Sequence, residues 1–345
     1  MASKMVDKQL IRRRALELVA KDGRRVATRL GAELGLSRQV ANGHLQALVR
    51  SGQLEAEGST RARVYRLATL REAARTYARE GLREDVVWRE VFQPVVADLA
   101  ENVVDIWRYG VTEMVNNAID HSGSLEVHTS VRRNALQTDG LVADVGEGIF
   151  LKIQRAFDLY DPREAILELS KGKLTTDPAH HTGEGIFFAS KMFDVFVIRS
   201  GALTFMHDED PFDVLVERPG HAPGTVVLMR LANVSERTTR AVFDEFAAPE
   251  EYTFSKTIVP VRLAQYEGEK LVSRSQAKRL SLRLERFRHV VLDFAQVVEI
   301  GQAFADELFR VFAQAHPGVV LVPVNMTAEV ERVVRRARVS SQPDS

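Results

Sequence analysis

The 345-residue chain contains no cysteine. Disulfide bonds, thiol nucleophiles and thiolate metal sites are therefore excluded. Apolar runs are also short, as at residues 319–324, and a membrane-spanning helix needs about 20 apolar residues. The first ten residues lack the apolar block of a signal peptide. These absences predict a cytoplasmic protein with no membrane partner.

The charge of the chain is balanced overall but unevenly distributed. Lys and Arg number 47, as do Asp and Glu, and hydrophobic residues make up 45% of the sequence. Such a composition is ordinary for a globular protein, and the length allows two or three domains. Residues 1–70 hold 14 basic but only 6 acidic side chains. This basic part predicts contact with a polyanion; the alternative is a solvated surface.

Glu113 and Asn117 form the most informative pair in the sequence. Their spacing places a carboxylate and a carboxamide on one face of an α-helix, one turn apart. Taken alone, such a pair is usually a solvated helix face. Two glycine-rich stretches follow, at residues 144–149 and 181–186. A helix that carries a base and a metal-binding amide, next to two glycine turns, predicts an ATP site.

These motifs, in this order, resemble the GHKL superfamily of ATPases, which includes gyrase, heat-shock chaperone, histidine kinase and mismatch-repair types. The resemblance covers roughly residues 91–231. The motifs that carry it are Glu113-x-x-x-Asn117-Ala118, Asp144-x-Gly146-x-Gly148-Ile149, Gly183-x-Gly185-Ile186 and Gly224-Thr225. A lone glycine pair usually marks a turn, so the order and spacing of all the motifs make the resemblance specific.

The resemblance implies an α/β sandwich over residues 91–250. Helices would cover one face of a mixed sheet, and the nucleotide would lie between helices and sheet beneath a lid. The expected strands are residues 125–131, 140–145, 195–199 and 225–231. A helix is expected at residues 186–193, and residues 86–106 are expected to be helical with an interruption near Pro94.

The resemblance also implies a role for each motif residue. Glu113 would be the general base that activates water, and Asn117 would bind Mg²⁺. Asp144 would accept a hydrogen bond from the adenine amino group. Glycines permit close approach of the backbone to the base, and the second glycine pair opens a helix whose free N–H groups face phosphates. The residues expected around ATP are Asn117, Asp144, Gly146, Gly148, Ile149, Gly183, Gly185, Ile186 and Thr225.

Two further residues are candidates for the same site. Asp120, close to Asn117 on the same helix, would line the phosphate or ribose region. Lys173 belongs to the expected lid, residues 150–182, and would reach the terminal phosphate when the lid closes. The alternative for Lys173 is a solvated lysine on a flexible loop. His180 and His181 lack the spacing of a metal site, so phosphate contact or an ordinary loop is favoured.

Residues 1–70 resemble a winged helix-turn-helix of the kind found in bacterial repressors. Helical spacing predicts three helices, the third over residues 38–50 with Ser37 as its N-cap, Val40 inward and a hairpin after it. The resemblance implies that the third helix enters the major groove of DNA and the hairpin meets the backbone. The expected contacts are Arg38, Gln39, Asn42, Arg61 and Arg63. Protein contact or homodimer formation is the alternative. Residues 71–90 are expected to be a helical connector.

Residues 255–340 alternate apolar strands with helices, which predicts a small α/β domain with a partly parallel sheet. The segment resembles STAS domains, and more closely the STAS-like domain of unknown function that accompanies such ATPases. Anti-sigma-factor antagonists carry a phosphorylatable hydroxyl in the turn that here reads Gly301, Gln302 and Ala303. Phosphorylation there is therefore not expected, and docking to a protein partner fits better.

Two functions remain open. The first is an ATP-dependent transcriptional or signalling switch with slow Mg²⁺-dependent hydrolysis. The second is a serine/threonine protein kinase of the anti-sigma-factor type that acts on a separate partner. A sensor histidine kinase is disfavoured, because its phosphoacceptor helix should lie within residues 71–112, and these residues contain no histidine.

Overall fold

The computed structural model describes residues 8–59, 62–175, 183–208, 214–247, 254–265 and 269–339. The chain forms an N-terminal helical unit, a central α/β unit and a C-terminal α/β unit. None of the helices within these ranges is long and apolar enough to cross a membrane. The candidates Arg61, His180 and His181 lie outside the described residues.

The N-terminal unit has a hydrophobic core of its own. It contains α1 (Lys8–Lys21), α2 (Val26–Leu34), α3 (Arg38–Arg50) and the antiparallel strands β1 (Leu54–Glu57) and β2 (Val64–Leu67). Ser37 caps α3 as predicted, its Oγ accepting from the Val40 N–H at 3.2 Å. The inward position predicted for Val40 is wrong, since 46% of the residue is exposed. Ala41 and Leu45 set the buried face instead.

A five-stranded sheet forms the centre of the chain. Its strands lie in the order β3 (Arg71–Ala78), β4 (Glu126–Arg133), β5 (Gln137–Asp144), β7 (Val214–Ala232) and β6 (Val195–Asp208). All the described pairings are antiparallel. The expectation of a mixed sheet is therefore wrong for the described strands. The short β4–β5 connection allows an antiparallel hairpin directly, whereas a parallel pair needs a long crossover.

The prediction of a helical connector at residues 71–90 is wrong for its first half. Arg71–Ala78 form an edge strand that pairs with β4 along its whole length. Ala73 and Tyr77 pack against the core from one face, while the residues between them are polar or exposed. The segment is rich in helix-forming residues, so pairing with β4 overrides local propensity. The central unit therefore begins well before residue 91.

Helices cover one face of this sheet. In β5 the residues at 138, 140, 142 and 144 are buried, and those between them are partly exposed. The helices are α4 (Glu84–Val87), α5 (Gln93–Val96), α6 (Glu101–His121), α7 (Ile149–Ala156), α8 (Pro162–Lys171), α9 (Gly185–Met192) and α10 (Thr239–Phe246), with a π-helical turn at Trp88–Phe92. This alternation of buried and partly exposed residues places the Asp144 side chain on the sheet face that the helices cover.

The C-terminal unit is built on a three-stranded parallel sheet in the order β10 (Val320–Val324), β9 (His289–Asp293) and β8 (Lys256–Pro260). Its other elements are 3₁₀ turns at Val261–Ala264 and Leu284–Arg286, α11 (Arg274–Ser281), α12 (Gln302–Asp306), a π-helical stretch Glu307–Phe312, α13 (Ala313–Ala315) and α14 (Ala328–Val339). The predicted parallel pairing is confirmed. Buried side chains of the central and C-terminal units form one continuous core.

Candidate functional site

A cavity of about 290 Å³ lies between α6, α7, α9 and the adjoining ends of β5 and β7. Four segments far apart in sequence meet there. Nine of the residues predicted from the sequence line it: Glu113, Asn117, Asp144, Gly148, Ile149, Gly183, Gly185, Ile186 and Thr225. The remaining wall is mostly apolar and comes from residues such as Met114, Val142, Ile153, Leu169 and Val227.

Helix α6 supplies the polar pair of the cavity. Glu113 and Asn117 both line it, and both are partly buried. The Glu113 carboxylate lies directly against Gly185 at the start of α9, where a Cβ atom would overlap Oε2. Glycine at 185 therefore lets the first turn of α9 approach the carboxylate. The predicted helix after this glycine is confirmed as α9.

Asp144 lies at the end of the buried face of β5. Only 6% of the residue is exposed, and Oδ1 accepts from the Gly146 N–H at 2.9 Å. Burial raises the pKa of this carboxyl, although hydrogen bonds from the backbone of Gly146 and Thr225 oppose the shift. The Asp144 side chain is thus a buried acceptor that backbone donors hold at the end of β5.

The turn between β5 and α7 is tied to the end of α6. The Glu147 N–H donates to the Ser122 carbonyl at 3.2 Å, and a Cβ at Gly146 would overlap that same carbonyl. Gly148 has φ +94° and Gly224 has φ +75°. These left-handed conformations favour glycine. A Cβ at Gly224 would also overlap the Asp144 carbonyl. Gly146 packs against the Ser122 carbonyl and is not among the residues that line the cavity.

Thr225 connects the end of the sheet to α7. Its Oγ1 accepts from the Ile149 N–H, the first amide of α7, at 3.0 Å. Beside it, the Ser200 hydroxyl donates to the Gly224 carbonyl at 2.8 Å. These bonds fix the β7 backbone and the start of α7 around the buried carboxyl of Asp144.

Besides Gly146, two of the predicted site residues lie outside the cavity lining. Asp120 is exposed on α6 and is absent from the cavity lining described here. Lys173 turns away from the cavity: its Nζ donates to the Arg286 carbonyl at 3.2 Å and lies 5.4 Å and 5.1 Å from the ring centroids of Phe254 and Phe287. Aromatic rings and a carbonyl of the C-terminal part hold the ammonium in this structure, and its contact with a phosphate on lid closure stays a prediction.

Several cavity residues are missing from the sequence prediction. Asn116, Ser122 and Thr175 line the wall, and so does Lys152 of α7. Lys152 Nζ donates to the His121 carbonyl at 2.7 Å. Its position three residues after Ile149 places both on one face of α7, so the helical period alone could have identified it once α7 was recognised.

The cavity wall formed by α8 is joined to the C-terminal unit through buried charges. Lys171 is 1% exposed, and its Nζ donates to Glu168 Oε1 at 2.5 Å and to the Leu282 carbonyl at 2.8 Å. Burial lowers the pKa of Lys171, while Glu168 opposes that shift. Thr257 of β8 donates to the Lys171 carbonyl at 2.7 Å. Leu169, on the same helix, lines the cavity.

The N-terminal candidates occupy one end of α3. Arg38 and Gln39 are exposed, and Asn42 is partly exposed one turn further along the helix. Arg63, just before β2, is also partly exposed. The three helix residues therefore present polar side chains on a common surface.

Comparison with known proteins assigns part of the chain. A family model for the STAS-like domain of unknown function (DUF4325) matches residues 276–331. That range runs from α11 into α14, so the prediction of a STAS-like domain is confirmed there. No curated protein matches the chain. Among the described residues, no cluster of three or more His, Asp or Glu side chains is arranged to hold a metal ion.

Replacing Lys171 by Met should destabilise the protein by about 3 kcal/mol, because the buried Glu168 carboxylate would lose its hydrogen-bonded ammonium and keep only the Arg283 guanidinium, 3.7 Å away. Urea denaturation of the full chain measures this loss. Lys278→Met, at an exposed lysine of α11, is the matched control and should change stability by less than about 0.5 kcal/mol. Equal stabilities of the two variants would contradict a structural role for the buried charge.

Proposed function

We propose that this protein is an ATP-binding regulator: a GHKL-type ATP site, a winged helix that binds DNA, and a STAS-like domain that docks a protein partner. The observation that carries the proposal is the convergence of four motif segments on one cavity. The segments around Glu113, Asp144, Gly185 and Thr225 are separated by up to about a hundred residues in sequence, yet all contribute to its wall.

The sheet end of the cavity suits a purine base. Asp144 offers a buried carboxylate acceptor for an exocyclic amino group, and the Thr225 hydroxyl lies beside it at the start of α7. Val142, Ile153 and Val227 supply apolar surface for the ring. A buried acceptor favours adenine over guanine, because guanine would direct a carbonyl oxygen at the carboxylate.

The α6–α9 end of the cavity suits phosphates. Asn117 offers an amide oxygen to a cation, and Gly185 and Ile186 at the start of α9 line the space. The first N–H groups of a helix have no intrahelical partner and suit a phosphate. Mg²⁺ held at Asn117 would neutralise the phosphate charge. Glu113 lies one turn from Asn117, where its carboxylate can accept a proton from a water molecule positioned for attack.

The connection through α8 supports a switch. Leu169 and Leu174 line the cavity, while Lys171 and Lys173 bond to backbone carbonyls of the C-terminal part. A nucleotide that binds one arrangement of this wall more tightly than another shifts the equilibrium between them by that difference in affinity. The STAS-like domain would then transmit the nucleotide state to its partner.

Glu113→Ala should retain ATP binding and lose hydrolysis by about 100-fold or more, because a general base contributes about 10²–10⁴-fold. Asp144→Ala should lose ATP binding itself. Equilibrium binding and release of labelled phosphate from γ-labelled ATP measure the two effects. Asp105→Ala, at an exposed residue of α6, is the control. Unchanged turnover in Glu113→Ala would contradict its role as the base.

The same labelled ATP separates the switch from a protein kinase of the anti-sigma-factor type. The switch predicts that label appears as free phosphate. The kinase predicts instead that label is transferred to serine or threonine of a second protein when the purified chain is added to a lysate. That result would show that the site phosphorylates a protein and does not hydrolyse ATP as its main function.

The N-terminal surface should bind DNA through α3. The triple variant Arg38→Ala, Gln39→Ala and Asn42→Ala should weaken a gel shift on genomic fragments by tenfold or more, since each bidentate base contact contributes about 1–3 kcal/mol. Arg335→Ala on α14 removes one positive charge elsewhere and should leave the shift unchanged. No shift with the wild-type chain, or an equal shift with the triple variant, would contradict DNA recognition by this helix.

A further inference from the structure

The cavity wall carries few positive charges for a site that would bind a polyphosphate. Glu113 and Asp144 are both acidic, and Lys152 is the single Lys or Arg among the described residues that line the wall. A ligand with several negative charges therefore meets one lysine ammonium inside this cavity.

Lys152 is positioned by the end of α6. Its Nζ donates to the carbonyl of His121, the last residue of α6, at 2.7 Å. The last carbonyls of a helix carry partial negative charge, which repels a phosphate. The ammonium offsets this charge at the His121 carbonyl. The side chain is partly buried, so the charge is less screened than on an open surface.

Lys152 is connected to both ends of the cavity through neighbouring residues. Lys152 follows Ile149 by one turn of α7, and Ile149 is bonded to Thr225 at the base end. Its partner His121 follows Asn117 by one turn of α6, and Asn117 belongs to the phosphate end. One helical turn is about 5.4 Å, a distance comparable to that between a nucleoside and its first phosphates.

We propose that Lys152 binds the phosphates of the nucleotide and makes the cavity select phosphorylated nucleosides over free ones. This inference rests on the proposed ATP site. The ammonium has three N–H donors, so it can keep the His121 carbonyl and still donate to a phosphate oxygen. Lys173, the lysine singled out by the sequence, has its ammonium beside Phe254, Phe287 and the Arg286 carbonyl in this structure.

The test compares ATP with adenosine on the full chain. Lys152→Met should weaken ATP binding by about 10- to 100-fold, the range of one hydrogen bond between charged groups. Its affinity for adenosine should stay within about twofold of the wild type. Lys152→Gln retains a donor for the His121 carbonyl without the charge, and it should show the same selective loss. Arg155→Met, at an exposed arginine of α7 paired with Glu147, is the matched control and should bind both ligands normally.

The outcomes separate three cases. Selective loss of ATP affinity in both Lys152 variants supports the proposal. If ATP and adenosine weaken equally, or if Lys152→Gln binds ATP like the wild type, Lys152 only caps α6 and the proposal is overturned. If the wild-type chain binds neither ligand, the ATP site itself fails and the assignment of Lys152 fails with it.

Discussion

Close packing of α6 against the central sheet and α9 is the constraint on which the site depends. A Cβ at Gly140 of β5 would overlap the ring of Trp107, and a Cβ at Gly110 would overlap the ring of Phe193. Glycine at both positions lets the helix lie directly on the sheet. Glu113 and Asn117 follow Gly110 by about one and two turns of the helix, so this contact carries both side chains over the ends of β5 and β7. Bulkier residues at the contact would lift the polar pair away from the buried carboxyl of Asp144.

The second feature is that the cavity wall and the C-terminal unit share one interior. Buried apolar side chains run without interruption from the central unit into the STAS-like domain, and α8 carries a buried lysine at the boundary. Buried ion pairs add little net stability but are sensitive to their geometry. Lys171 bonds to both Glu168 and the backbone of the C-terminal unit, so a shift of α8 would disturb all of these contacts. This arrangement gives the proposed switch a physical route from nucleotide to partner domain.

Local patterns predicted many of the helices and most of the strands, because helical spacing, caps and apolar runs are properties of neighbouring residues. They do not predict α7 or α8, which lie almost entirely within the expected lid at residues 150–182. They failed where distant contacts decide the outcome. Arg71–Ala78 has helical composition but forms a strand because β4 offers a pairing edge. The position of Lys173 depends on Phe254 and Phe287, whose rings lie beside its ammonium and are distant from it in sequence. The sequence does not single out Lys152, because its position depends on a hydrogen bond to the His121 carbonyl at the end of α6.

The central claim, a site for an adenine nucleotide in the middle of the chain, is tested most directly by calorimetric titration. The full chain is titrated with ATP and with GTP in the presence of Mg²⁺. The account predicts that ATP binds and that GTP binds at least about tenfold more weakly, since guanine presents an acceptor to the buried Asp144 carboxylate. Absence of heat with ATP, or equal affinity for the two nucleotides, would contradict it.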